Sequence, residues 1–168
     1  MGRTELSLSV EDFVRNEFEK EYYCHLQFTR DIAMELQNEF GGDPEAVYTA
    51  AIAHDIGRVS GGSNKEHARR GADRIRPILE GLGANEARIE LISGCILMHN
   101  LLTGFRNVEE EITANADRLS KLVAHECFML MAKSDNYLER ATWGLKHLEK
   151  SYAGLTLPRL RERYVDIY

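Results

Sequence analysis

The chain lacks any excess of basic residues. Its 21 Lys and Arg are outnumbered by 27 Asp and Glu, for a formal charge of −6. Nucleic-acid polymers are bound chiefly through a cationic face, so no such partner is expected. A small phosphorylated partner remains open, because a local cationic pocket can sit in an acidic protein. Long apolar runs are also missing. No stretch approaches the roughly 20 apolar residues of a membrane span, and the opening MGRTELSLSVEDF lacks the apolar core of a secretory signal. Leu6 stands where N-myristoylation wants Ser or Thr. No membrane partner is expected, and the location expected is cytoplasmic. The three cysteines, Cys24, Cys95 and Cys127, are odd in number and far apart. They form neither a disulfide framework nor a CxxC metal knuckle, so reduced thiols are expected. Repeats and low-complexity tracts are absent as well.

What is present is helix after helix. A length of 168 residues suits a single domain over 1–168 with one core. Ser9 can cap a first helix to about Glu21, and a second runs from about Cys24 to Phe40, where Gly41-Gly42 stops it. Asp43-Pro44 is an N-cap followed by proline at the first helical position; that third helix extends to about Ile56. Gly57 and VSGGSN read as a flexible loop. Asn64 can cap a fourth helix to about Leu82, and a fifth spans about Glu86 to Asn100. A sixth runs from about Glu109 to Ala132, a seventh from about Asp135 to Tyr152, and Pro158 opens a short last one. No segment alternates as a strand does. The fold class predicted is all-α, a compact bundle of about six to eight helices.

Helical spacing then places histidines on apolar stripes. The second helix aligns His25, Phe28, Thr29, Ile32 and Leu36. The third aligns Val47, Ala50, Ala51 and His54, and the fifth aligns Ile89, Ile92, Ile96 and His99. The sixth carries Ile112, Ala116, Leu119 and Val123, with Asp117 at the edge. Each histidine lies at a helix end, where a core opens into a cleft. Asp55 follows His54 directly. Two buried carboxylates cost several kcal/mol apiece unless a cation or hydrogen bonds compensate, and imidazole with carboxylate suits a divalent metal. A core histidine taken singly is more often a hydrogen-bonded structural residue, so the joint pattern carries the argument.

The order His25, His54-Asp55 in AAIAHDIGR, then Asp117 in NADRLSKL resembles the HD superfamily of metal-dependent phosphohydrolases. The resemblance covers about residues 23–122, with 123–168 completing the fold, and implies an HD-domain-like bundle. It implies His25, His54, Asp55 and Asp117 as ligands of one divalent metal. His67 and His99 sit where some members place ligands for a second metal, although both could instead contact substrate phosphate or water. Small stand-alone HD hydrolases carry Asp-Ala-Asp-x-Leu-Asp downstream. Here Asn115 and Ser120 replace the flanking acids, which leaves open any role those acids serve elsewhere.

The activity this implies is hydrolysis of a nucleotide or other small phosphate ester by a metal-activated water. Asp55, His67 and Lys65 are the candidate catalytic residues. Arg58, Lys65, Arg69, Arg70 and Arg118 are candidates for holding phosphate; the alternative for Arg69, Arg70 and Arg74 is a solvated face. Manganese, iron, zinc, cobalt, nickel and magnesium all remain open as the metal. Two other functions remain: an HD-type diiron oxygenase using all six ligands, and a metal-binding sensor or interaction module without turnover. His125 and His147 read as structural or exposed. Trp143 and Tyr137 read as packing residues, compatible with a homodimer contact.

Overall fold

The computed structural model describes residues 2–63, 65–124, 129, 132 and 134–165. Among these residues eight α-helices follow in order: α1 Glu5–Glu17, α2 Lys20–Phe40, α3 Pro44–Ala53, α4 His67–Gly81, α5 Glu86–Met98, α6 Val108–Val123, α7 Tyr137–Ala153 and α8 Leu160–Arg163. A 3-10 turn at Ile56–Arg58 joins α3 to α4.

Helix starts are set by side-chain caps that occupy orphan backbone donors. Asp43 accepts from the Ala46 N–H, Asn85 from Arg88 and Asn107 from Glu110. The first helix begins earlier than Ser9, because Thr4 and Ser7 form a reciprocal capping box. The expected cap Asn64, the histidine His125 and the middle of the expected run to Ala132 lie outside the described residues.

Helix α3 is the axis of the fold. Every residue from Ala46 to Ala53 is buried, as expected for a helix apolar on all sides. One side of it, through Ala46, Ala50, Ile52 and Ala53, packs with Val10, Leu26, Ile75, Leu79 and Ile92 of α1, α2, α4 and α5. The other, through Val47 and Ala51, packs with Leu36, Ile112, Leu119 and Leu160 of α2, α6 and α8. Each fully buried Ile or Leu contributes about 1.5–3 kcal/mol. The run of alanines keeps the neighbouring helices close, so the C-terminal end of α3 emerges where α2, α5 and α6 meet. Two expected stripe members turn outward: Phe28 is 43% and Val123 38% exposed. Phe28 lies at the edge of the arc that buries His25, Thr29, Ile32 and Leu36.

A buried carboxylate fastens α1. Glu11 accepts the Tyr23 hydroxyl at 2.8 Å and the Tyr48 hydroxyl, and pairs with Arg30 at 2.5 Å. The cysteines depart from the expectation of three reduced thiols: Cys24 is disulfide-bonded, while Cys95 is free and buried. Separation along a chain puts no lower limit on distance once helices pack. Among the described residues no helix is long and apolar enough to cross a membrane.

Gly57 is a packing residue rather than part of a flexible loop. A Cβ there would lie 2.1 Å from the His67 carbonyl oxygen and 2.4 Å from the Gly71 nitrogen, both backbone atoms of α4. Gly57→Ala therefore has to push α4 away from the 3-10 turn. The expected cost is about 3 kcal/mol, read as a Tm lowered by roughly 6–12 °C in thermal denaturation. A variant melting like wild type would refute this close approach.

Candidate metal centre

Five helices and one turn deliver six side chains to one buried point. His25 comes from α2, His54 caps α3, Asp55 opens the turn, His67 begins α4, His99 caps α5 and Asp117 lies in α6. All six are buried. The Asp117 Oδ1 lies 3.2 Å from His25 Nε2 and 3.3 Å from His54 Nε2, and Asp55 Oδ2 lies 3.5 Å from His54 Nε2. Donors about 2.0–2.2 Å from a common small cation stand roughly 3–3.5 Å from one another. On its other side Asp55 Oδ1 lies 2.9 Å from His67 Nε2 and 3.7 Å from His99 Nε2. Three overlapping donor sets result: His25–His54–Asp55, His54–His99–Asp117 and Asp55–His67–His99.

The imidazoles are turned for ligation by their outer nitrogens. His54 Nδ1 faces the Ala51 carbonyl at 2.8 Å and His99 Nδ1 the Ile96 carbonyl at 2.6 Å. A carbonyl only accepts, so each Nδ1 carries the proton and each neutral Nε2 offers its lone pair inward. His25 reaches the same state through a hydroxyl. Ser120 Oγ donates to the Asp117 carbonyl at 2.9 Å and lies 3.1 Å from His25 Nδ1, which donates to it. Thr29 Oγ1 stands 3.0 Å behind Ser120 Oγ. Within the centre, His54 Nε2 and Asp117 Oδ1 are buried with no hydrogen-bond partner among the described residues. Orphaned inward lone pairs of imidazole and carboxylate are what a divalent cation would satisfy, so these residues fit one.

The ionisation states point the same way. Burial pushes the Asp55 carboxyl up, but His54, His67, Arg58 and His99 outweigh it and hold it well below the usual carboxylate range. Burial is likewise outweighed at Asp117 by Lys121, His25 and His54. His25 is pushed down by burial in spite of Asp117, and His99 is pushed down to about 3 by burial and by His54. His54 moves up, because Asp55 and Asp117 overcome its burial.

Three side chains not singled out in the sequence complete the centre. Tyr22 donates its hydroxyl to Asp55 Oδ2 at 2.5 Å, Lys121 Nζ holds Asp117 Oδ2 at 2.6 Å, and Asn100 Nδ2 lies 3.1 Å from His67 Nε2. Lys121 stands four residues after Asp117 and Tyr22 three before His25, the two helical spacings that share a face. Arg58 is at the rim: its Nε pairs with Asp55 Oδ1 at 2.7 Å, and its side chain is 31% exposed.

Other residues expected to clamp phosphate go elsewhere. Arg70 donates to the carbonyls of Gly57 and Ser63, pinning the loop before α4. Arg74, never among those candidates, pairs with Glu17 at 2.8 Å. Arg118 donates to the Leu101 carbonyl and packs against Gly154, with its pKa lowered by burial in spite of Asp117. Lys65 and Arg69 are exposed, and among the described residues no side-chain hydrogen bond or ion pair ties either to the centre. Asn115 is structural: it donates to Thr156 Oγ1 and accepts from the Thr156 N–H, both at 2.8 Å. His147 Nδ1 lies 2.7 Å from the Trp143 carbonyl, remote in sequence from the centre.

Comparison with known proteins gives one family match and one match of fold. The family model described as "HD domain" matches residues 22–142. A crystal structure of a predicted HD superfamily hydrolase from an uncultured Thermotogales bacterium superposes with a TM-score of 0.61 at 20% identity. That alignment covers 94% of this chain and 90% of the other. No curated protein matches.

Two outcomes follow for metal binding. Ser120→Ala strands the His25 Nδ1–H, so the affinity for Mn²⁺ should fall about 10–100-fold in equilibrium dialysis; an unchanged affinity would remove Ser120 from the centre. His54 must lose its proton before it can ligate. Its raised pKa means that protonation competes increasingly as pH falls. Calorimetry in buffers of different ionisation enthalpy should show proton release on metal binding that grows towards acid and vanishes above the His54 pKa, with affinity rising in parallel.

Proposed function

The chain belongs to the HD-domain family, and from that premise we propose that it is a metal-dependent phosphohydrolase acting on a nucleotide or other small phosphate ester. The observation that carries this reading is the set of inward Nε2 lone pairs of His25, His54 and His99 around two buried carboxylates. His25, His54, Asp55 and Asp117 would hold the cation. Bound there, a divalent metal supplies a water of lowered pKa and polarises a phosphoryl oxygen.

The chain's own groups divide the remaining tasks. Tyr22 and Arg58 hold the two oxygens of Asp55, and Lys121 holds the outer oxygen of Asp117. With both carboxylates kept ionised, their orientation is fixed before substrate arrives. The Arg58 and Lys121 side chains are 31% and 20% exposed, against 6% or less for the donor residues. They are the cations at the mouth, placed to receive a phosphoryl group. His67, at the start of α4, would act from the other side of Asp55, its Nε2 lying 2.9 Å from Asp55 Oδ1. The segments at 59–63 and 100–107 follow the His54-Asp55 turn and His99, so they would shape the part of the pocket that selects the leaving group.

A second reading, an HD-type diiron oxygenase, draws on the Asp55–His67–His99 set beside the first. The two readings part on product: phosphate release without oxygen supports hydrolysis, whereas oxygen-dependent turnover with iron supports the alternative. A metal-supplemented screen of nucleoside mono-, di- and triphosphates and common phosphomonoesters tests the proposal. Asp55→Ala should lose bound metal and on the order of 10³-fold in kcat/KM while remaining helical by circular dichroism. Full activity in that variant would end the assignment.

A further inference from the structure

The two donor clusters around Asp55 are not equivalent. Toward His25, His54 and Asp117 Oδ1 the inward atoms face one another, with no Lys or Arg of the described residues among them; Lys121 sits on the outer oxygen, Oδ2. Toward His67 and His99 a cation is already in place. Arg58 Nε lies 2.7 Å from Asp55 Oδ1, and Arg58 Nη2 lies 3.1 Å from His67 Nε2. One guanidinium therefore touches two of the three donors in the Asp55–His67–His99 set. The Asn100 amide adds a second N–H group 3.1 Å from the same His67 nitrogen.

Backbone geometry holds Arg58 there. The 3-10 turn at Ile56–Arg58 returns residue 58 over Asp55, with the Arg58 N–H donating to the Asp55 carbonyl at 2.9 Å. Gly57 is locked against α4, and Arg70 clamps its carbonyl. The guanidinium is thus delivered by a rigid turn rather than by a free side chain.

We propose that Arg58 is a built-in cation occupying the place of a second metal, so that this chain binds one divalent ion, at His25, His54, Asp55 and Asp117, and not two. The inference rests on the metal-dependent reading above. Charge balance favours it. Asp55 and Asp117 carry two negative charges, and Arg58 and Lys121 carry two positive ones in direct contact with them. One divalent ion then makes the centre +2, which a phosphate dianion neutralises. A second would make it +4 and would stand against the guanidinium, with only two imidazoles and a shared, already paired carboxylate oxygen to hold it.

The test is metal stoichiometry. Protein stripped with chelator and reloaded with excess Mn²⁺ would be analysed by elemental mass spectrometry and by electron paramagnetic resonance. Wild type should hold one Mn²⁺ per chain with the signal of an isolated ion. Arg58→Met, which keeps length without charge, should hold two and show a coupled pair; adding His67→Asn to it should restore one. Arg58→Lys should remain at one. Two ions in wild type would overturn the proposal and leave the phosphohydrolase reading intact. No ion in wild type would remove that reading and this proposal together. One ion in a folded Arg58→Met chain would also overturn it. Should Arg58→Met fail to fold, His67→Asn in the otherwise native chain decides: unchanged binding of one ion supports the proposal, and loss of that ion overturns it.

Discussion

Two carboxylates buried within reach of the same imidazoles are the constraint around which this structure is arranged. Asp55 and Asp117 are 3% and 4% exposed, and removing each from water costs several kcal/mol even after relaxation. Both remain ionised because four imidazoles, a guanidinium and an ammonium stand around them. Apolar residues of similar volume would serve folding as well or better. Such a cluster at the meeting point of five helices is therefore explained by use, and an electrostatic sink for a divalent cation is the use its donor chemistry fits.

The fold meets the cost of that sink by keeping the rest of the centre small and rigid. The alanines of α3 draw α2, α5 and α6 together and leave room at its end for His54 and Asp55. Gly57 and Gly71 let the turn and α4 touch backbone to backbone, which brings His67 to the other side of Asp55. Outer nitrogens tied to Ala51, Ile96 and Ser120 prevent the rings from flipping. None of these supports contributes a donor to the cation, yet each determines where a donor points.

Much of this was readable in the sequence because helical periodicity is a geometric statement. His25, His54 and His99 sit on apolar stripes, and stripes face a core, so their convergence could be anticipated. The helix start at Asp43 was readable for a local reason, a side chain capping its own helix. What failed to show was anything decided between elements. Ser120 looked like the loss of an acid, and only its position opposite His25 reveals a working acceptor. Adjacency misled at Arg118: neighbours on a helix diverge by about 100°, so the residue after Asp117 looks away from the centre, whereas Lys121, one turn on, looks toward it. Cys24 met the same difficulty, because its covalent partner could not be inferred from spacing.

The cations that remain at the mouth bear on what the centre can hold. The sequence offers Arg58, Lys65, Arg69, Arg70 and Arg118 as a clamp, a charge suited to several phosphates. The structure spends Arg70 and Arg118 on backbone carbonyls and leaves Lys65 and Arg69 in solvent; among the described residues, the Lys and Arg on the carboxylates of the centre are Arg58 and Lys121. Under the proposed activity, that charge matches a single phosphoryl group at the reacting position rather than a polyphosphate chain laid along the site. Discrimination between substrates then falls to groups beyond the phosphate, which the segments at 59–63 and 100–107 are placed to contact. The division is physically economical: the charge chemistry is seated on the buried helices and the turn that carries Arg58, and selection is left to segments that do not hold the buried carboxylates.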